Sequence, residues 1–242
     1  MAVSGGGARV LLLPGLGARG AGFKRLAERL APHHRPILVE YPTGSDAAAG
    51  ASTLAEQVLA ATGAVDAVVA SSFGGMVAAA LAHRGATRGI AFISSFTNLD
   101  QLGVRGPAIR VLGPVALFGR PGLGAATFAA NQVVPTRLVP DIVPTTLTER
   151  EAVMARAFAI PKEPPPPPPG NGIRCIALHG DRDWLLPVDV LPRLVRSLPP
   201  GTASHVIAGA GHVPYFTHAA VCARIILPWL DALCAEGRRS AA

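Results

Sequence analysis

VVASSFGGMVAAALA, Val68 to Ala82, runs from an unbroken apolar segment through two serines and two glycines into an alanine-rich stretch. A short apolar run bounded by turn residues reads as a buried strand, and the alanine-rich stretch behind the glycines reads as a helix. The same alternation extends outward on both sides. RVLLLP from Arg9, PILVEYP, AVVAS and GIAFISS read as strands. FKRLAERLA from Phe23 has helical spacing, with Phe23, Leu26, Ala27 and Leu30 on one side. TLAEQVLAATG opens on Thr53 with Glu56 three residues on, a capping-box signal, and Gly63 suits its C-terminal end. Continuous apolar strands alternating with helices predict an α/β fold, a mostly parallel central sheet with helices on both faces.

The alternation stops after Ser95 and resumes near Ile173. IRCIALHG is then a strand, Pro187 to Ser197 a helix, ASHVIAG a strand and Thr217 to Cys234 a helix. The chain therefore divides into a first core part (1–95), an insertion of small helices ending in a proline-rich linker (96–170) and a second core part (171–242). Within the insertion, Thr146 and Glu149 form a second capping-box signal, with Leu147, Met154 and Phe158 along one helix face. The six consecutive prolines from Pro164 have no amide donors and favour extended polyproline II, so they read as a semi-rigid linker.

At 242 residues with 15% charged side chains, the composition is that of one folded domain with a large core. The net charge of +7 permits anionic partners, but the arginines are scattered and no basic block interleaved with aromatics occurs. A solvated surface rather than nucleic-acid binding is the reading. Three cysteines without a CxxC pair argue against a disulfide framework and a zinc site, and fit a reducing compartment. The start lacks a basic region before its apolar run, so no signal peptide is expected. The longest uncharged run, around Ala67 to Ala82, falls short of the ~20 apolar residues of a membrane span, and a cytoplasmic location follows.

Ligands of parallel α/β sheets bind at the carboxyl ends of the strands, where SSFGG lies. A serine presented on a tight strand-to-helix turn needs small residues two before and two after it. For Ser72 these are Ala70 and Gly74; for Ser71 they would be Val69 and Phe73. Ser72 is therefore the nucleophile candidate. A serine hydroxyl needs a base, and the base an orienting carboxylate. His212, in the Gly-rich AGAGHVPYF, is the leading base, with His179 its rival. Asp181 and Asp183, both in HGDRDWLLP after a strand, are the candidate acids.

ASSFGG, HGDRDWLLP, GAGH and LLLPGLG, in this order of role, resemble the nucleophile elbow, acid loop, histidine loop and oxyanion loop of the α/β-hydrolase fold family. Ala70 replaces the usual first glycine of the elbow, and Pro14-Gly15 stands where many members have His-Gly. The resemblance assigns the acid to Asp183 and the base to His212. It implies an oxyanion hole from the amides of Phe73 and Leu16, with Gly17 as the other possible donor. It also makes 96–170 a helical cap over the pocket, with Leu112, Leu117, Phe118, Phe128, Met154 and Phe158 as candidate walls; Leu117, Phe128 and Phe158 are taken as substrate contacts.

The implied activity is hydrolysis of small to medium carboxylic esters through an acyl-enzyme, without metal or organic cofactor. The same residues serve thioester hydrolysis or acyl transfer, and a low-turnover binding protein is the alternative outside enzymes. The basic charge is compatible with an acidic acyl carrier protein, as in the pimeloyl-carrier methyl esterases of this family, with Arg105, Arg110 and Arg120 as candidate contacts.

Overall fold

The structure, a computed structural model, describes residues 7–43, 45–103, 106, 146–183 and 185–240. Six strands carry it: β1 (Arg9–Leu13), β2 (Arg35–Leu38), β3 (Ala67–Ser72), β4 (Gly89–Ser95), β5 (Arg174–Gly180) and β6 (Ala203–Ile207). All pair in parallel, in the order β2-β1-β3-β4-β5-β6. The helices are α1 (Lys24–Leu30), α2 (Ala51–Thr62), α3 (Gly74–His83), α4 (Leu147–Ala159), α5 (Val190–Arg196), α6 (Pro214–Thr217) and α7 (Ala219–Ser240).

Side chains alternate across a strand, so an unbroken apolar strand must be covered on both faces. Leu11, Leu13, Val68, Ala70, Ile90 and Phe92 pack with α2, α3 and α5. Val10, Leu12, Ala67, Val69, Ala91 and Ile93 pack with α1, α6 and α7. Each fully buried Leu, Ile or Phe contributes about 1.5–3 kcal/mol relative to exposure, so these central strands form the rigid base of the loops that follow them. The strand order reverses at β1, which has β2 on one side and β3 on the other. The crevice at such a reversal, outside the carboxyl ends of the strands, is where open α/β sheets place ligands.

The helix ends depart from the local signals. α2 begins at Ala51 with Gly50 as its N-cap, ahead of the expected Thr53–Glu56 box. Its cap comes from far along the chain. The Glu163 carboxylate accepts hydrogen bonds from the amides of Gly50 (3.0 Å) and Ser52 (3.3 Å), which suits the positive end of a helix. Glu56 instead pairs with Arg84 at 2.6 Å. The Thr146–Glu149 box is present at the start of α4, and Gly63 ends α2 with φ 67°. The last helical stretch divides at His218 into α6 and α7, and α7 continues past Cys234 to Ser240.

The described ends of 96–170 are built into the core. Phe96, Leu99, Leu102 and Ile160 join the cluster on the α2–α3–α5 side. α4 does not bury the face expected from its largest apolar residues. Ala152, Val153, Arg156 and Ala157 are buried, whereas Met154 is half-buried and Phe158 is 42% exposed. Small residues let α4 approach the short helical turn Ser45–Ala48 closely, and a spacing rule that seeks the largest side chains overlooks them. In the proline run, only Pro166 and Pro169 are buried. That interval of three matches the three residues per turn of polyproline II, one edge of which rests on the protein.

The three cysteines are free and buried, and burial pushes the thiols of Cys175 and Cys222 up to about 12. Among the described residues no helix is long and apolar enough to cross a membrane.

Candidate active site

Ser72 ends β3 and adopts φ 51°. This left-handed conformation is uncommon for a residue with a side chain and marks a sharp, strained turn into α3. The turn breaks the register with β4 between Ser71 and Ser72. The Ser95 hydroxyl fastens it by donating to the Ser72 carbonyl at 2.6 Å. Two glycines make the turn possible. A Cβ at Gly74 would stand 2.8 Å from the carbonyl oxygens of Leu13 and Pro14, and one at Gly75 would collide with the end of β4 at Ser95 and Phe96. The two serines separate as their surroundings dictate. Ser71 is buried near the Tyr215 hydroxyl, while Ser72 is only half-buried.

The loop after β1 passes directly beside Ser72. A Cβ at Gly15 would lie 3.0 Å from the Ser72 Cβ and 3.6 Å from its Oγ. Leu16 follows in the same loop, half-buried against the core, and Phe73 is the buried residue that precedes α3. The first amides of a helix have no partner within it, so those at the start of α3 point toward whatever lies before them.

Asp183 and His212 meet across the ends of β5 and β6. His212 Nδ1 lies 2.8 Å from Asp183 Oδ2, and the Leu186 amide donates to Oδ1 at 2.9 Å. An ionised carboxylate only accepts, so Nδ1 carries a proton, and in the neutral form of the imidazole Nε2 has the lone pair. Gly180 allows this approach, since a Cβ there would strike the carbonyl oxygens of Ala210 and Gly211. Asp181 stays exposed, yet it is more than a turn residue: its Oδ1 accepts from the Gly209 amide at 2.7 Å and tethers the histidine loop. Burial by itself would raise the Asp183 carboxyl. Charge and hydrogen bonding from His212, then His179 and the Leu186 amide, outweigh it and hold the group below the usual aspartate value.

His179, the rival candidate base, is fully buried beside Asp183. Its Nε2 donates to the Leu186 carbonyl at 2.7 Å and lies 3.5 Å from Asp183 Oδ2. Leu186 thus closes the loop after β5 through both its amide and its carbonyl. Burial is the main cause that lowers the His179 imidazole, with smaller opposing contributions from Asp183 and Leu186. A histidine whose folded pKa lies below its unfolded value stabilises the fold fully above the unfolded pKa. That contribution is lost as pH falls from there toward the folded value, because the unfolded chain takes up the proton first. Urea unfolding should accordingly show stability declining as pH drops below ~6.5. His179→Gln should flatten that decline, and an unchanged slope would contradict the assignment.

Leu117 and Phe128, with Leu112, Phe118, Arg105, Arg110 and Arg120, lie outside the described residues. Among the described residues no three His, Cys, Asp or Glu side chains converge to hold a metal ion. Ser95, Leu186 and Tyr41 (whose hydroxyl donates to the Pro14 carbonyl at 3.2 Å) carry no local sequence signal for their places in the site.

A parallel sheet with a strained serine at one strand end, and a buried Asp–His pair beyond two others, defines an α/β-hydrolase fold. The chain matches the alpha/beta hydrolase family over residues 10–225 and belongs to it. No curated protein matches its sequence. Among solved structures it is similar to a thermophilic esterase from Thermogutta terrifontis, at 20% identity and TM-score 0.69, covering 95% of this chain and 92% of that one. The esterase RhEst1 from Rhodococcus sp. ECU1013 gives 19%, 0.65, 94% and 91%. The N-acyl homoserine lactonase AidH, complexed with N-butanoyl homoserine, gives 19%, 0.70, 95% and 91%.

Proposed function

We propose that the protein is a serine hydrolase of small to medium carboxylic esters. The observation that carries the reading is Ser72 at φ 51°, on a turn that only glycine at positions 74 and 75 permits. That strain presents a hydroxyl where the loop after β1 and the start of α3 converge. His212 Nε2 takes the proton from Ser72 Oγ as the oxygen attacks the ester carbonyl carbon. The negative charge that develops on the carbonyl oxygen rests on the amides of Phe73 and Leu16. Asp183 holds the imidazole tautomer and stabilises the imidazolium. His212 then gives its proton to the departing alcohol. A water, deprotonated by His212, attacks the acyl-enzyme, and its collapse releases the acid and restores Ser72.

An ester substrate is supported by the esterases and the lactonase among the similar structures, since a lactone is a cyclic ester. Leu117, Phe128 and Phe158 are the proposed acyl contacts, with 96–170 supplying the cap. One methylene in an apolar pocket is worth about 1–3 kcal/mol, so p-nitrophenyl esters of increasing chain length should differ by tens to hundreds of fold in kcat/KM. Phe158→Ala should shift that profile. An unchanged profile in the folded variant would remove Phe158 from the pocket, and equal rates with Ser72→Ala would overturn the reading.

A further inference from the structure

The loop from Pro14 to Gly20, which bears one proposed oxyanion amide, is gripped from outside by the segment 39–42. At one end the Tyr41 hydroxyl donates to the Pro14 carbonyl at 3.2 Å. At the other, the Glu40 carboxylate accepts from the Ala21 amide at 3.0 Å, and Gly20 lies so close to Val39 that a Cβ would overlap its carbonyl oxygen. The Tyr41 ring also meets Phe73, bearer of the second proposed amide, edge-on, with ring centres 6.3 Å apart. One buried tyrosine therefore touches the backbone of the first donor loop and the side chain of the second donor.

Tyr41 is held in turn by α4. The Arg156 guanidinium lies 5.1 Å over its ring and donates to the Pro42 carbonyl at 2.7 Å. Arg156 is only 3% exposed, and among the described residues its buried Nε has no hydrogen-bond partner. Burying a guanidinium is costly, and a position that needed only packing would be better filled by an apolar side chain. Arg19 on the loop and Glu149 on α4 add a second link, at 3.6 Å.

We infer that Tyr41 and Arg156 are positioning residues that aim the oxyanion amides, so that α4 sets the geometry of the oxyanion loop through a Tyr41–Pro14 hydrogen bond. This rests on the hydrolase reading. A preorganised donor acts only if it points to where the oxyanion forms, and small misplacements far from the chemistry are costly. The hydroxyl matters for aim rather than for substrate contact, so its loss falls on turnover and not on ground-state binding.

Tyr41→Phe tests this, because it leaves the ring against Phe73 and under Arg156 and removes only the O–H. On p-nitrophenyl butyrate, kcat should fall about 10- to 100-fold while KM stays within about twofold. Affinity for a trifluoromethyl ketone, whose hemiketal oxyanion needs the hole, should fall in the same proportion as kcat. Arg156→Met should show the same pattern, and Arg156→Lys a smaller loss because a charge over the ring remains. If Arg156→Met does not fold, Tyr41→Phe and Arg156→Lys carry the test. A folded Tyr41→Phe with kcat and ketone affinity within about twofold of the parent overturns the inference alone. So does a loss that follows only the unfolded fraction. A parent protein that turns over no ester and takes up no fluorophosphonate overturns the hydrolase reading, and this inference with it.

Discussion

Ser72→Ala should hydrolyse p-nitrophenyl esters about 10⁶-fold more slowly than the parent, because Ser72 is the proposed nucleophile and its removal would forfeit covalent catalysis altogether. Ser71→Ala, one residue away, should remain within about tenfold. The asymmetry follows from their surroundings. Ser72 is half-buried on a strained left-handed turn, beside the Gly15 backbone, while Ser71 is turned into the core near Tyr215. Alanine at position 72 removes one oxygen and leaves the Ser95 hydrogen bond to the backbone carbonyl in place, so the fold should survive. Thermal unfolding run beside the assay separates loss of chemistry from loss of structure. The reverse ranking of the two variants would move the nucleophile to Ser71.

Asp183→Asn should lower kcat by about 10⁴-fold with the protein still folded. The carboxylate accepts the Nδ1–H of His212 at one oxygen and the Leu186 amide at the other, and both bonds require acceptors. Asparagine offers one acceptor and one donor. Whichever way the amide turns, either Leu186 loses its acceptor or His212 Nδ1 faces an N–H. In the second arrangement the imidazole must present its lone pair at Nδ1, and Nε2 is no longer basic toward serine. Asp181→Asn makes the contrast within the same loop. It keeps an oxygen for the Gly209 amide and should cost little, whereas Asp181→Ala releases the histidine loop and should cost more. Equal losses in Asp183→Asn and Asp181→Asn would show that the loop acts as a scaffold without a specific acid.

Much of this was legible because it is written in local patterns. The central strands β1, β3 and β4 are largely apolar runs that only a doubly covered sheet accommodates, and their alternation with helices is visible without tertiary information. The proposal of Ser72 over Ser71 also rests on immediate neighbours: a methyl at Gly74 would meet the carbonyls of Leu13 and Pro14. What escaped depends on partners far apart in the chain. The α2 cap is Glu163, supplied from beyond the insertion, so the Thr53–Glu56 signal pointed to the wrong helix start. The buried face of α4 contains Arg156, which charge alone assigns to solvent. The place of His179 near a strand end does not reveal that its ring is fully buried, hydrogen-bonded to the Leu186 carbonyl beside Asp183. Tyr41 is one apolar residue among many until the loop after β1 is seen to hang from its hydroxyl.

Ser72 as nucleophile is tested most directly by mapping the adduct of a fluorophosphonate probe by peptide mass spectrometry. A single modified serine, Ser72, is expected, with labelling abolished in Ser72→Ala and strongly slowed in a folded Asp183→Asn. Labelling at Ser71 or at another serine, or a Ser72→Ala protein that reacts as fast as the parent, would contradict it.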